Sequence, residues 1–409
     1  MSISSSSSSG SPPSTPQCCC CQCDDTCSDD ACQSDCPDTS AQPVHYATGE
    51  LRLRFTDLSF SGYGREWLQQ RSYANITLFN EGSGNGFGWH NAFVPRLNVS
   101  GMQAQLSFGP LQSYYLQQIS PGTFAAPSSY YYVHTLMVVY SAATTPPRYE
   151  ARTARGRTYL FSNASGSSPF KPFIGCLEPN GDQIDAVYES PTSLRLTSVS
   201  ISEVGQQTGL IYTYDGGSDR FATVTLRIKG QDIRRATYSY YGSGDGNGSA
   251  GDLKTVLHER NTGGVWESLG TAYHRYYLAG QAKGFAHGLR FVVSPEAYAR
   301  LVGAGITPAD ADDEQLKGYA DYYFEYDSQQ RVALERTGGG AYSYTYQYSA
   351  NPNPPSGFSA VSSSSASSSS SSSSTPFVPP AEGETNQWRT KTIVTMPDGT
   401  QEIVYCNTF

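Results

Sequence analysis

Six histidines (His45, His90, His134, His258, His274, His287) and ten cysteines are the residues of this 409-residue chain most suited to metal or nucleophilic chemistry. The histidines form no HExxH or HxH pair, the spacings that bring two imidazoles onto one ion. His258-Glu259 and His274-Arg275 therefore read as strand-surface residues. Eight cysteines crowd into CCCCQCDDTCSDDACQSDC: Cys18, Cys19, Cys20, Cys21, Cys23, Cys27, Cys32 and Cys36. Adjacent thiols do not easily converge on one tetrahedral ion. The interleaved Asp24, Asp25, Asp29, Asp30 and Asp35 suit cation capture and a solvated acidic tail equally. A disulfide knot or an unstructured tail is the preferred reading, and the redox compartment decides between them. Cys176 and Cys406 stand apart and can pair only if the fold joins them.

Enzymatic signatures are missing. No GxSxG, Walker A or dinucleotide fingerprint occurs. GSGDGNGS (242–249) resembles a phosphate loop, but no Lys-Ser/Thr follows and no Asp-x-Asp-x-Asp calcium spacing is present, so it reads as a hairpin loop. Glu325 and Asp327 have the residue types of a glycosidase acid and base, with nothing to indicate a cleft around them. The expectation is a non-enzymatic protein with no catalytic residue, no metal and no cofactor.

Aromatic stacking is the remaining chemistry. AYSYTYQYS places Tyr342, Tyr344, Tyr346 and Tyr348 at period two, so in a strand all four rings share one face. Such a ladder serves as a sugar-stacking platform, a nucleic-acid surface or sheet packing. The net charge of −9 argues against nucleic acid, which needs a basic footprint. Packing is favoured over sugar binding.

The elements that would position these rings are short strands. Forty glycines, 24 prolines and 30 tyrosines with only 15 % charged residues fit many strands joined by turns. ELRLRFTDLSF alternates Leu51, Leu53 and Phe55 against Arg52, Arg54 and Thr56. In SLRLTSVSI the apolar set changes phase between Leu196 and Val199, which predicts a bulge. RFATVTLRI puts Ala222, Val224, Leu226 and Ile228 on one face, and RTKTIVTMPDGTQEIVY reads as two strands about Pro397-Asp398-Gly399. Ser294-Pro295 opens a helix, and Thr307-Pro308 repeats the start signal before DADDEQLKGYADYY. No run approaches the roughly 18 apolar residues of a membrane helix. The opening MSISSSSSSGSPPSTP carries neither a charged nor an apolar signal region, so no ordinary secretory signal is read there.

Aromatic-x-Tyr pairs recur: Tyr212 and Tyr214, Tyr238 and Tyr240, Phe324 and Tyr326, Tyr344 and Tyr346. Asp215 and Asp327 follow two of them, and a turn and an apolar strand follow each. Recurrence at roughly 20 to 30 residues is the trace of a stacked-strand array. With YDGGSDRFATVTL, GDLKTVL and EYDSQQRVALERTGGG, the chain resembles the Rhs or YD-repeat proteins. PVHYATGELRLRFTDLSFSGYGREWLQQRSYAN and GNGFGWHNAF are similar to that family's N-terminal module. The resemblance spans roughly residues 43 to 349 and 387 to 409.

The resemblance implies a mainly β fold, an antiparallel YD-repeat sheet spiralling into a partial, open shell, with a helical insertion near 294–322. The expected organisation is a Ser/Pro- and Cys-rich tail (1–42), an Rhs-type module (43–210), a YD-repeat sheet (211–349), a Pro/Ser-rich linker (350–386) and a terminal hairpin (387–409). Family shells sit at cell surfaces or in secreted assemblies, and many enclose a C-terminal toxin. No shell-closing core, cleavage motif or toxin domain is recognisable here, so a truncated member or one module of a larger assembly is expected. Its partners would be a glycan or cell-surface molecule, further YD-repeat segments or a downstream domain. A carbohydrate-binding module using Tyr342, Tyr344, Tyr346 and Tyr348 is the alternative, and the shell of a polymorphic toxin the third.

Overall fold

The computed structural model describes residues 43–62, 65–75, 84–110, 112–126, 136–144, 146–153, 156–163, 169–190, 193, 195–203, 206–351 and 388–406. The tail with its eight clustered cysteines, and the linker beyond Asn351, lie outside the described residues. No helix among the described residues is long and apolar enough to cross a membrane.

The fold is mainly β, as expected. Strands β1 (Arg52–Gly62), β2 (Arg65–Ala74) and β3 (Trp89–Asn91) form a small antiparallel sheet of their own. A second, long antiparallel sheet begins with hairpin after hairpin: β4 (Arg96–Ser100), β5 (Gln103–Ser107), β6 (Ser113–Ser120), β7 (Thr123–Ala125), β8 (Met137–Ser141), β9 (Arg148–Arg152) and β10 (Thr158–Ser162). Strand β11 (Phe170–Lys171) pairs with β4, while β12 (Phe173–Leu177), one residue further on, pairs with β10. That segment draws the two ends of the hairpin run together.

The sheet then continues through β13 (Gln183–Tyr188), β14 (Leu196–Glu203), β15 (Gln206–Tyr214), β16 (Phe221–Ile228), β17 (Gln231–Tyr240), β18 (Leu253–Thr262), β19 (Val265–Tyr276) and β20 (Leu289–Val293). After the helices come β21 (Tyr322–Tyr326), β22 (Val332–Thr337), β23 (Tyr342–Ala350), β24 (Thr390–Thr395) and β25 (Gln401–Cys406). Each pairs antiparallel with the next, and β25 has register only with β24 among the described strands, so the long sheet stays open there.

The helical insertion is real and interrupts the strand order between β20 and β21. Helix α1 (Pro295–Gly303) has Ser294 as N-cap, its side chain accepting from the Ala297 amide, and proline in the first turn. The second helix, α2 (Asp313–Lys317), does not start at Thr307. Asp312 caps it instead, in a reciprocal box with Gln315 that satisfies two otherwise orphaned donors. The Thr307 carbonyl accepts from the Asp310 and Ala311 amides, so Thr307-Pro308 opens only a turn.

The bulge expected near Leu196 is present. Tyr188 pairs with Leu196 while Val187 pairs with Ser198, which leaves Thr197 as the extra residue. A similar displacement corrects the reading of β16. Val224 and Leu226 are buried, but Ala222 is the extra residue of a bulge and Phe221 takes the buried position before it. The terminal hairpin folds about Pro397-Asp398-Gly399 as read, with Gly399 at φ +83°.

Candidate functional site

The signature tyrosines occupy equivalent places in five successive turns. Register shifts fall at Tyr188, Tyr214, Tyr240, Tyr276 and Tyr326, each the last residue of its strand. Each pairs with the first residue of the strand after the turn: Leu196, Phe221, Leu253, Leu289 and Val332. The turns close alike as well. The amides of Glu189, Asp215, Tyr241, Tyr277 and Asp327 donate to the carbonyls of Arg195, Arg220, Asp252, Gly288 and Arg331.

A bulge sets two residues against one and re-aims the side chain opposite. Three of the bulged tyrosines send the hydroxyl to the preceding unit, and Tyr348, in an unshifted register, does the same. Tyr214 donates to the Leu196 carbonyl (3.0 Å), Tyr240 to Phe221 (2.9 Å), Tyr326 to Leu289 (2.7 Å) and Tyr348 to Val332 (2.7 Å). Burial pushes all four phenols above their ordinary pKa, which keeps them protonated as donors.

In three units an arginine stands just before that accepting carbonyl and covers the same ring. Arg195 lies 5.3 Å over Tyr214, Arg220 5.0 Å over Tyr240 and Arg331 4.6 Å over Tyr348. The acids following the tyrosines secure those arginines. Asp327 accepts from the Arg331 Nε at 2.8 Å and from the Gln329 and Arg331 amides, and Asp215 reaches Arg220 at 3.4 Å. Glu189 and Asp219 both face Arg195. The Tyr-Asp pair thus works as a link: the acid fixes an arginine, and the arginine covers the next unit's tyrosine.

The aromatic two places earlier faces β1–β3. The Tyr212 hydroxyl donates to Gln69 and that of Tyr238 to Asp57 (2.8 Å), and Phe324 is fully buried. Asp57 is itself the extra residue of a bulge in β1, between Thr56 and Leu58. Its carboxylate takes both prongs of Arg71 at 2.7 and 3.0 Å. Burial works against the Arg71 charge, yet the Asp57 carboxylate and its hydrogen bonds hold the guanidinium pKa above its ordinary value. Arg71 also stacks 4.9 Å over Trp89, whose indole N–H donates to the Tyr276 hydroxyl at 2.8 Å.

His274 and His258 flank this seam, with pKa lowered by burial, and the Arg71 charge lowers His274 further. An acid, a guanidinium, phenols and neutral imidazoles resemble catalytic machinery, but the Asp57 and Arg71 side chains are only 1 % and 2 % exposed. A second acid–histidine contact, Asp252 with His287 Nδ1 at 2.7 Å, carries Phe87 against its imidazole at 4.0 Å and fastens the Gly84–Trp89 approach to the long sheet. Among the described residues no three His, Cys, Asp or Glu side chains gather around a metal position.

The tyrosine ladder is divided in depth. Tyr342 is 55 % exposed, Tyr344 and Tyr348 are half-buried, and Tyr346 is 4 % exposed. Tyr346 donates to Glu335 at 2.8 Å, and its ring runs parallel to that of Tyr348 at 6.5 Å. Tyr348, rather than Tyr346, makes the inter-unit link. Glu325 and Asp327 are both engaged elsewhere, Glu325 by Tyr323 and Lys283, Asp327 by its own turn. Cys176 is buried in β12, its thiol pushed up to about 12 by burial, and Cys406 is buried in β25.

Sequence reasoning missed two units, at Tyr188 and Tyr276. Both were legible as a tyrosine before a turn and an apolar strand start, but neither is followed by Asp.

No family profile matches this chain, and no described protein matches it by sequence. Solved structures give slight likenesses. The Photorhabdus luminescens Tc holotoxin pore aligns with TM-score 0.40 at 13 % identity, over 57 % of this chain and 16 % of that one. The N-terminal domain of effector protein SpvB from Salmonella typhimurium gives 0.29 at 9 %, over 55 % and 93 %. The TcdB2–TccC3–Cdc42 complex gives 0.30 at 10 %, over 74 % and 16 %. The chain spans about a sixth of the first and third of these.

Proposed function

We propose that this chain is a non-enzymatic structural and interaction protein, a segment of a YD-repeat β-shell that lines its own inner face with β1–β3. The observation that carries the reading is the use of the signature groups. Tyr214, Tyr240, Tyr326 and Tyr348 all donate within the sheet, and Asp215 and Asp327 hold arginines that cover the next ring. Groups so engaged build a scaffold and are not offered to a substrate. Its setting would be a cell surface or a secreted assembly, with further YD-repeat segments or a downstream domain as partners.

The test is native-state cross-linking of the tagged full chain in its own cells, followed by fractionation and mass spectrometry. The expected product is an assembly well above the 44.3 kDa monomer, in the surface or secreted fraction. A cytosolic monomer that turns over glycoside or phosphoester substrates would end this reading. A glycan array probed with the protein and with Tyr342→Ala decides the carbohydrate alternative, because Tyr342 is the one ladder ring that is exposed.

A further inference from the structure

A cleft of about 610 Å³ opens where Gly84–Phe87, β4 and the turns around Tyr188 and Tyr214 meet. Its walls are largely aromatic, including Phe87, Phe170, Tyr188, Tyr214 and Phe221. Three charged residues line it: Arg96, Arg220 and Asp219. With Arg195, Asp215 and Glu189, which stand just outside the lining, cations and anions number three each.

Arg96 is the one of the three lining charges with no ion-pair partner among the described residues. Asp219 is taken by Arg195 at 3.0 Å and Arg220 by Asp215 at 3.4 Å, whereas no carboxylate of the described residues pairs with Arg96. Its two neighbouring strands, β5 and β11, carry no acid, and the sequence has no Asp or Glu from Leu97 to Pro147. Burial lowers the Arg96 pKa, and only the Tyr188 phenol opposes that effect. Arg96 is half-buried, and a guanidinium taken partly out of water without an anion is costly to hold.

We propose that this cleft binds an organic carboxylate carried on an aromatic or other apolar body, with Arg96 as its cation. A guanidinium without an ion-pair partner suits an anionic group. The planar guanidinium accepts a carboxylate in two-pronged fashion, and the rings take the apolar part. The site is independent of the scaffold reading, since a shell segment with or without a ligand keeps the same sheet.

The test is calorimetry and ligand-detected NMR on the full chain with three isosteric probes: phenylacetate, its neutral amide phenylacetamide, and phenyl phosphate. Phenylacetate is expected to bind one to one and to be preferred over the amide by about tenfold or more, the scale of one charge-assisted contact. Arg96→Gln should lose that preference and Arg96→Lys keep part of it. Arg96→Gln should also raise the thermal midpoint, which a ligand-free structural role for the arginine would lower. Equal binding of acid and amide by the wild-type protein overturns the proposal, as does a lack of saturation up to ~10 mM, beyond the weakest specific range. Tighter binding of phenyl phosphate overturns the carboxylate assignment.

Discussion

At the scale of single residues, Glu335 is the group most out of place. It is fully buried; among the described residues no cation pairs with it, one oxygen accepts from Tyr346 and the other has no hydrogen-bond partner. Burial raises its pKa from 4.5 to about 8, although the Tyr346 donor pulls the other way. Between those values the folded carboxyl keeps a proton that the unfolded chain has released, so raising the pH favours unfolding. Its contribution is complete below about pH 4.5, falls by up to about 1.4 kcal/mol per unit, and is gone above about pH 8. Urea midpoints at pH 6 and pH 8 should therefore differ in the wild type and converge in Glu335→Gln, which should be the more stable at pH 8. Parallel pH dependence in the two proteins would sink this assignment.

Residue chemistry of this kind escapes a sequence reading. Nothing local to VALERT marks Glu335 as buried, because its cover comes from Tyr346 on the following strand. The Tyr238–Asp57 bond joins residues 181 positions apart, and no periodicity reports it.

At the scale of elements, the bulge sets which face the strand after each turn presents. Side chains alternate at period two, so one residue more or less turns a whole strand over. Deletion of Ala222, the extra residue opposite Tyr214, should misplace Val224 and Leu226 and yield insoluble protein. Deletion of Gly217, in the exposed turn just before, should leave the protein soluble; equal solubility of the two would contradict the role given to the bulge. The acid that closes a turn has a smaller effect. Asp327→Ala removes three hydrogen bonds and should cost about 2 kcal/mol, read as a lower urea midpoint with faster amide exchange at Arg331 and Val332. An unchanged midpoint would reduce Asp327 to decoration.

Much of this level was legible. The phase change placed a bulge between Leu196 and Val199, where Thr197 proves to be the extra residue, and Ser294-Pro295 located α1. The same signal lies between Phe55 and Leu58 and marks Asp57, but an alternating strand was read through it. Thr307-Pro308 misled because Asp312 and Gln315 offer α2 a better-satisfied start.

At the scale of the molecule, β1–β3 and the long sheet share one buried polar seam, so neither is free to unfold first. Arg71→Gln leaves the Asp57 charge uncompensated and should cost about 3–5 kcal/mol. The folded remainder should still melt in one transition by tryptophan fluorescence and by circular dichroism alike. Separate transitions would show that β1–β3 is an independent unit. The chain of links across the sheet carries a further meaning. Arg195, Arg220 and Arg331 each cover a ring further along the sequence, never one behind. The Tyr214 unit receives Arg195 from its predecessor and hands Arg220 forward. Copying that unit whole in tandem leaves its ring covered and its arginine placed, whereas copying half of it strands a cation. A gene for such a sheet can lengthen or shorten only in whole steps, and the step size is written in the distance from one tyrosine's bulge to the next.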